Sequence, residues 1–261
     1  MPVVRTRHSG GEAGLPPNLI PMRRIRIKLA YDGGGFRGWQ VQPGLPTIQG
    51  ALEQILSDME GCPVQVAGSG RTDAGVHALE QVAAFSIANP IPVSNLRRAV
   101  NRLLPPAIRV LDAEEVAADF HPRFQAKAKT YEYRILRGET CSPFEWPYIH
   151  HYPYQLDEDR MCRLACAFEG EHDFTAFAAS DDSDAEGRSK VRTVYSSVLE
   201  RAPGRLTYRI RGTGFLKHMV RNLAGTLIEA GKGNIADLDT LPAKSGPTAP
   251  AKGLFLIHVE Y

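Results

Sequence analysis

The sequence predicts an α+β fold of two ferredoxin-like halves, each with the element order βαββαβ, whose mostly antiparallel sheets lie side by side with a cleft between them. Two observations support this prediction. Segments with alternating apolar and polar residues, typical of half-buried strands, are separated by segments with an apolar stripe of helical spacing. The order strand, helix, strand, strand, helix, strand then occurs a second time, although no stretch of sequence is repeated.

The first predicted half covers residues 23–117. Thr47 can cap a helix that Gly61 ends, and Ser94 can cap a second helix that stops at two consecutive prolines. The four strands of this half are expected at residues 24–31, 64–67, 81–87 and from 108 onward. The basic residues of the first strand alternate with its apolar residues, which predicts one basic face.

The second predicted half covers residues 118–261. Asp157 can open its first helix, which Gly170 ends, and a long apolar stripe that ends at Gly231 predicts the second helix. Its strands, recognised by the same alternation, are expected at residues 130–136, 191–199, 206–210 and 254–259.

Two segments fall outside this pattern. Residues 1–22 are predicted to be a disordered N-terminal tail, because they hold basic residues and a Gly/Pro-rich run but lack the apolar core of a secretory signal. Residues 180–187 are acidic and lack apolar anchors, which predicts a mobile loop. No segment approaches the roughly 20 apolar residues of a membrane span, so we expect no membrane partner.

Composition narrows the function only slightly. The chain is 43% hydrophobic and 23% charged, with a formal net charge of +2, so any nucleic-acid site must arise from local clustering of charge. The four cysteines are scattered, and Cys162 and Cys166 share a helix face without a partner histidine pair. This pattern predicts free thiols in a reducing cytoplasm and no metal site.

The stretch with the most chemistry is residues 68–77, Gly-Ser-Gly-Arg-Thr-Asp-Ala-Gly-Val-His, which lies between two predicted strands. A turn held rigidly by strands can present the Asp73 carboxylate beside Arg71 as a catalytic group. The same residue types also build ordinary turns, in which an aspartate bonds the backbone amide two residues on, and composition leaves both interpretations open. The stretch is not a P-loop, because no Lys-Ser/Thr follows the glycines.

Residues 71–77 resemble the signature of the tRNA pseudouridine synthase A family. The resemblance extends over residues 24–261 through further motifs in the same order. These motifs are Tyr31-Asp32-Gly33, Gly38-Trp39-Gln40, Phe120-His121-Pro122-Arg123-Phe124, Lys129-Thr130-Tyr131-Glu132-Tyr133, Asp173-Phe174-Thr175, His218-Met219-Val220-Arg221-Asn222 and Gly253-Leu254-Phe255-Leu256.

The resemblance implies an isomerase that converts uridine to pseudouridine on the 3′ side of the anticodon arm of tRNA (tRNA positions 38, 39 and 40). It also implies a cytoplasmic homodimer that needs no cofactor and no metal. Asp73 would be the nucleophile on a flipped-out uridine, by attack on either the uracil ring or the ribose. Arg221 would pair with Asp73, Tyr131 would stack on the base, Arg71 would hold the RNA strand and Leu254 would line the pocket.

Elementary physics agrees with these roles but leaves alternatives open. Flipping a base costs about a few kcal/mol, of which stacking on an aromatic ring can return about 1–3 kcal/mol. A carboxylate covered by substrate needs a nearby cation to stay ionised. From the residues alone, however, Tyr131 could equally be core, Leu254 belongs to the core on any interpretation, and Arg221 could extend to solvent.

Four histidines need an interpretation of their own. The implied reaction needs no obligatory imidazole, so His77 and His218 are interpreted as structural or RNA-contacting residues. His150 and His151 lack a third metal ligand.

Basic residues occur in clusters that would form a phosphate track if several faced one cleft, and solvated faces otherwise. The clusters are Arg23, Arg24, Arg26 and Lys28; Arg97, Arg98 and Arg102; Lys127 and Lys129; Arg188, Lys190 and Arg192; and Arg205, Arg209, Arg211 and Lys217.

Two other functions compete with the synthase: a non-catalytic RNA-binding or RNA-folding module, and an RNA glycosidase that releases uracil.

Overall fold

The computed structural model describes residues 21–180, 187 and 189–261. Most of the predicted N-terminal tail and most of the predicted loop at residues 180–187 therefore lie outside the described residues. The described helices are α1 (Ile48–Glu60), α2 (Val93–Leu103), α3 (Glu158–Cys166) and α4 (Met219–Gly231). The described strands are β1 (Arg23–Tyr31), β2 (Ala67–Gly68), β3 (His77–Ile87), β4 (Ile108–Val116), β5 (Ala128–Leu136), β6 (His150–His151), β7 (Gly170–Asp173), β8 (Val191–Ala202), β9 (Arg205–Gly212) and β10 (Leu254–Glu260).

All ten of these strands belong to one mostly antiparallel sheet. The strand order is β4-β1-β3-β10-β5-β9-β8-β7, with β2 paired to β3 and β6 paired to β5. A short parallel contact between β10 and β3, with Phe255 opposite His77, joins the strands of the two chain halves. The two predicted sheets are thus one continuous sheet. A central position suits β10, because Leu254, Phe255 and Leu256 are all buried, which is typical of a strand covered on both faces.

The helix boundaries follow the predicted caps closely. The Thr47 side chain accepts a hydrogen bond from the Gly50 amide, and Gly61 ends α1 in the left-handed conformation with φ +75°. Asp157 caps α3 as predicted, but the helix already ends at Cys166, four residues before the predicted stop. Helix α2 begins two residues earlier than predicted: its N-cap is Pro92, with a preset φ of −57°, in place of Ser94.

Helix α4 is the most buried helix of the described residues, and its first turn lies at the functional cleft described below. The loop after it packs directly against its backbone. A methyl group on Gly225 would lie 1.8 Å from the Pro247 carbonyl oxygen, so this approach requires glycine. As a result Ala249 lies beside Arg221, whose carbonyl oxygen accepts its amide at 3.1 Å. Among the described helices, none has the length and hydropathy to cross a bilayer.

Candidate active site

The turn between β2 and β3 is held at its base by the side chain of Gln81. This side chain is fully buried, and its Oε1 accepts hydrogen bonds from Ser69 Oγ at 2.6 Å and from the Val82 amide at 3.1 Å. Its Nε2 donates to the Gly70 carbonyl oxygen at 3.0 Å. Because buried polar groups must be paired, these bonds fix the course of the chain that leads to Asp73.

The residues on either side of Asp73 are fixed as well. The Trp39 amide donates to the Thr72 carbonyl oxygen at 3.0 Å, and the Tyr31 hydroxyl lies 2.8 Å from Thr72 Oγ1. On the other side, the Val76 amide donates to the carbonyl oxygen of Asp73 at 3.1 Å. Burial raises the pKa of Tyr31 to about 12, so its hydroxyl stays protonated and available as a donor. Asp73 therefore lies on a turn that its neighbours make rigid.

Gly33 provides a test of this rigidity. A methyl group on Gly33 would lie 2.0 Å from the carbonyl oxygen of Val76, which is backbone of the same turn. We expect Gly33→Ala to lower the free energy of unfolding by about 1–3 kcal/mol, because one of the two backbone segments must move. Gly35→Ala is the matched control, since its methyl group meets no atom within 4 Å. Urea unfolding of both variants measures the difference, and equal losses would contradict the close packing.

The structure brings Asp73 and Arg221 together, 148 residues apart in the chain. Arg221 Nη1 donates to Asp73 Oδ2 at 3.1 Å, and Arg221 Nε donates to the Ala249 carbonyl oxygen at 2.8 Å. The Asp73 side chain is 22% exposed and the Arg221 side chain is 16% exposed, so the carboxylate is reachable from solvent but largely shielded. A charge-assisted hydrogen bond of this kind holds a carboxylate in one orientation.

His218 is the third member of this group, and sequence reasoning missed its proximity to the carboxylate. Its Nε2 lies 3.6 Å from Asp73 Oδ2. Among the described residues it is the one non-glycine residue with a positive φ, 62°, and it caps the N-terminus of α4. Strained backbone of this kind is found preferentially at functional sites. The sequence held one signal for this proximity: His218 lies three residues before Arg221, a spacing that brings two side chains together at the start of a helix.

Tyr131 and Leu254 line the same cleft as Asp73. Tyr131 lies on β5 and packs edge-on against Phe215, with ring centroids 5.2 Å apart. Burial is the main cause that raises the pKa of the Tyr131 hydroxyl, and the neighbouring Tyr31 and Asp73 add to it, so this hydroxyl stays neutral. Leu254 opens β10, the strand next to β5, and its side chain is almost completely buried. The two residues supply an aromatic face and an apolar wall.

The cleft has a volume of about 820 Å³, large enough for a nucleotide. Among its described lining residues Asp73 is the one carboxylate, against eight cationic side chains. These are Arg37, Arg71, Arg123, Lys129, Lys190, Arg192, Lys217 and Arg221. Arg71 is exposed at its rim. This charge distribution favours an anionic ligand that covers a single acid.

Several predicted basic clusters do not contribute to this cleft. On β1, Arg23 and Arg26 pair with Glu115 and Glu114 of β4. Arg209 of β9 pairs with Glu132 at 3.1 Å and with Glu200 at 2.7 Å. These cations belong to solvated faces of the sheet, the alternative considered above. Of the predicted clusters, the members that line the cleft are Lys129, Lys190, Arg192 and Lys217.

His77 has a structural environment. It is almost fully buried, its ring stacks on Phe255 with centroids 4.7 Å apart, and its Nδ1 accepts from the Gly33 amide. Burial lowers its pKa, the opposing charge of Asp32 being the smaller effect, so the ring is neutral at physiological pH. It packs where β3 meets β10 and holds the turn in place.

Similar proteins identify the family of this chain. A family model described as tRNA pseudouridine synthase matches residues 29–125 and 164–261. The chain is 78% identical, over 240 residues, to tRNA pseudouridine synthase A of Solibacter usitatus, covering 92% of this chain and 100% of the relative. It is 44% identical to the protein of the same name from Lacticaseibacillus casei (92% and 100%) and 42% identical to that of Myxococcus xanthus (92% and 92%). The chain therefore belongs to the tRNA pseudouridine synthase family of isomerases.

Proposed function

We propose that this chain converts uridine to pseudouridine in the anticodon arm of tRNA, with Asp73 as the nucleophile and the target base flipped out of its stack. One observation carries the proposal: among the described residues a single carboxylate, paired with Arg221, lies in a nucleotide-sized cleft lined by cations. RNA is the ligand that such a charge distribution suits, and a partly shielded carboxylate that solvent can still reach is placed as nucleophilic attack requires.

The proposed reaction changes the uracil atom that is bonded to C1′ of the ribose from N1 to C5. Asp73 attacks the uracil ring or the ribose, and the N1–C1′ bond breaks. The base then rotates within the pocket, the C5–C1′ bond forms, and the bond between Asp73 and the substrate breaks, which returns the free carboxylate. C5 loses its proton and N1 gains one, so the reaction is an isomerisation without an external reactant. Tyr131 supplies a stacking surface for the flipped base, and the apolar side chain of Leu254 helps to keep the detached uracil from water.

Two ferredoxin-like domains, residues 23–117 and 118–261, are the proposed organisation around this cleft. The strand orders β4-β1-β3-β2 and β10-β5-β9-β8 support it, since both place four strands in the same relative order. Asp73 belongs to the first domain, whereas Tyr131, Arg221 and Leu254 belong to the second. Each domain would thus be incomplete alone.

Family membership supports four finer features of this proposal. They are the anticodon arm as the site of modification, with Arg71 holding the RNA strand there, a homodimer as the active form and the cytoplasm as the compartment. The four cysteines support a reducing compartment, because all of them are free thiols. Light scattering of the purified chain measures the oligomeric state directly.

Incubation with unmodified tRNA transcripts, followed by mapping of pseudouridine, tests the proposed function. We expect product on the 3′ side of the anticodon arm and none in a transcript whose uridines there are replaced by cytidine. Binding without product would support the RNA-binding module instead. Free uracil in place of pseudouridine would support the glycosidase.

The stacking role of Tyr131 has its own test. Tyr131→Leu removes the aromatic face, so kcat/KM should fall about 10- to 100-fold, in line with about 1–3 kcal/mol for stacking on a base. Tyr131→Phe keeps the ring and should stay within about threefold of the wild type. Steady-state kinetics on the same transcript measure both, and an equal loss in Tyr131→Phe would assign the role to the hydroxyl group instead.

A further inference from the structure

Three cations of the cleft, Arg123, Lys129 and Arg192, have no carboxylate partner among the described residues. Lys129 Nζ donates to the Ser69 carbonyl oxygen at 2.5 Å, and Arg192 Nη1 donates to the Ser189 and Val191 carbonyl oxygens at 2.8 and 2.6 Å. The Arg123 guanidinium lies 5.9 Å from the centroid of the neighbouring Phe124 ring. These partners are uncharged, whereas Arg23, Arg26 and Arg209 elsewhere on the sheet are paired with acids.

Arg123 lies close enough to both Lys129 and Arg192 to repel each of them. Burial lowers the pKa of Lys129 to about 8, and the positive charge of Arg123 adds to this effect. The same two causes, in the same order, lower the pKa of Arg192. A partly buried cluster of like charges is unfavourable by itself and is relieved by an anion placed among them.

We propose that Arg123, Lys129 and Arg192 form a binding site for a phosphodiester group of the RNA strand, next to the flipped nucleotide. The proposal rests on the proposed function and names the part of the substrate that this wall of the cleft recognises. A phosphodiester is anionic and offers two oxygens as acceptors for charge-assisted hydrogen bonds from several cations.

The position of Lys129 links this site to the reacting nucleotide. Lys129 lies two residues before Tyr131 on β5, so both side chains point to the same face of the sheet. Its ammonium group also contacts Ser69, at the start of the turn that carries Asp73. The phosphate it binds must therefore be close to the base that stacks on Tyr131.

This site makes tRNA binding take up a proton. Near pH 8 about half of the protein molecules without tRNA carry a charged Lys129. A bound phosphate favours the charged form of this side chain. We therefore expect tRNA binding to weaken as the pH rises above 8. The residues opposite Lys129 on the two flanking strands, Val259 and Gly212, cannot titrate. The charged or titratable groups that face the same cleft are Arg37, Arg71, Asp73, Arg123, Tyr131, Lys190, Arg192, Lys217, His218 and Arg221.

The experiment measures binding of an unmodified tRNA transcript to the full chain, with Arg98→Gln as control because this exposed arginine of α2 lies outside the cleft. We expect Lys129→Gln and Arg192→Gln each to reduce the slope of log Kd against log salt by about 1, the effect of one lost phosphate contact. Lys129→Arg should keep the slope. Calorimetry at pH 8 in two buffers of different ionisation enthalpy should show proton uptake by the wild type and Arg98→Gln, and none by Lys129→Arg.

Unchanged salt slopes in both Gln variants, or full proton uptake by Lys129→Arg, would overturn the site. Arg192→Gln guards against misfolding of Lys129→Gln, because Arg192 bonds only to carbonyl oxygens of its own chain segment. A wild type that binds tRNA with proton uptake but forms no pseudouridine would overturn the proposed function and leave this site standing. The reverse result, product formation without the expected slopes, would overturn the site alone.

Discussion

Asp73→Asn should abolish pseudouridine formation, with turnover reduced on the order of 10⁴-fold or more, the scale seen when a covalent nucleophile is removed. The amide is nearly the same size as the carboxylate and can still accept a hydrogen bond from Arg221, so the turn should keep its course. It is a far weaker nucleophile. Pseudouridine counted over time in a single transcript, with enzyme in excess, measures the loss directly.

Binding of tRNA should largely survive the same substitution. The cleft keeps its eight cations and loses one negative charge, so Kd should change by less than about threefold. Asp58→Asn is the matched control: this exposed carboxylate of α1 bonds only Gln54 among the described residues. Wild-type turnover in Asp73→Asn would remove Asp73 from the mechanism, and loss of binding together with turnover would indicate a role in holding the RNA.

The fold could be predicted wherever local rules decide it. Thr47 and Gly61 bound α1 as predicted, because a side-chain cap and a left-handed glycine act within one turn of a helix. The parallel contact of β10 with β3 could not be predicted, since it depends on which strand edges remain free after each half has formed its own pairs. Strand β7 was also missed, because its sequence, Gly-Glu-His-Asp, is polar and lies at the edge of the sheet.

The candidate site, like the fold, could be predicted from the sequence only in part. The family signature identified Asp73, and the later motifs supplied Tyr131 and Arg221, which the structure places around one cleft with it. The short distance from His218 to Asp73 depends on a positive φ, which the sequence does not announce. Likewise, the basic face of β1 could not be excluded as an RNA site, because the pairing of its cations requires the register that places two acids of β4 opposite Ile25 and Arg26.

Arg221→Met should lower kcat/KM by about 100-fold. Removing one partner of a buried ion pair costs about 3–5 kcal/mol. The side chains of Arg221 and Asp73 are still partly exposed to solvent, which weakens their interaction, so we expect a cost at or below the lower limit of that range. Since a tenfold change corresponds to about 1.4 kcal/mol, about 3 kcal/mol gives the expected loss. Arg221→Lys keeps a charge but cannot bond Asp73 and Ala249 in the same fork geometry, so its loss should be about tenfold.

The control for Arg221→Met must separate electrostatics at Asp73 from the lost backbone contact. Arg160 offers this, because its Nε donates to the Ala230 carbonyl oxygen at 3.0 Å and its Nη2 donates to the Ile235 carbonyl oxygen, near the other end of α4. Arg160→Met should therefore lower the free energy of unfolding by about 1–3 kcal/mol, at least as much as Arg221→Met does through Ala249, but leave kcat/KM unchanged. In the Asp73→Asn background, Arg221→Met should cause almost no further loss of turnover, because the charge that it orients is already gone. A full additional loss there would mean that Arg221 acts on the RNA rather than on Asp73.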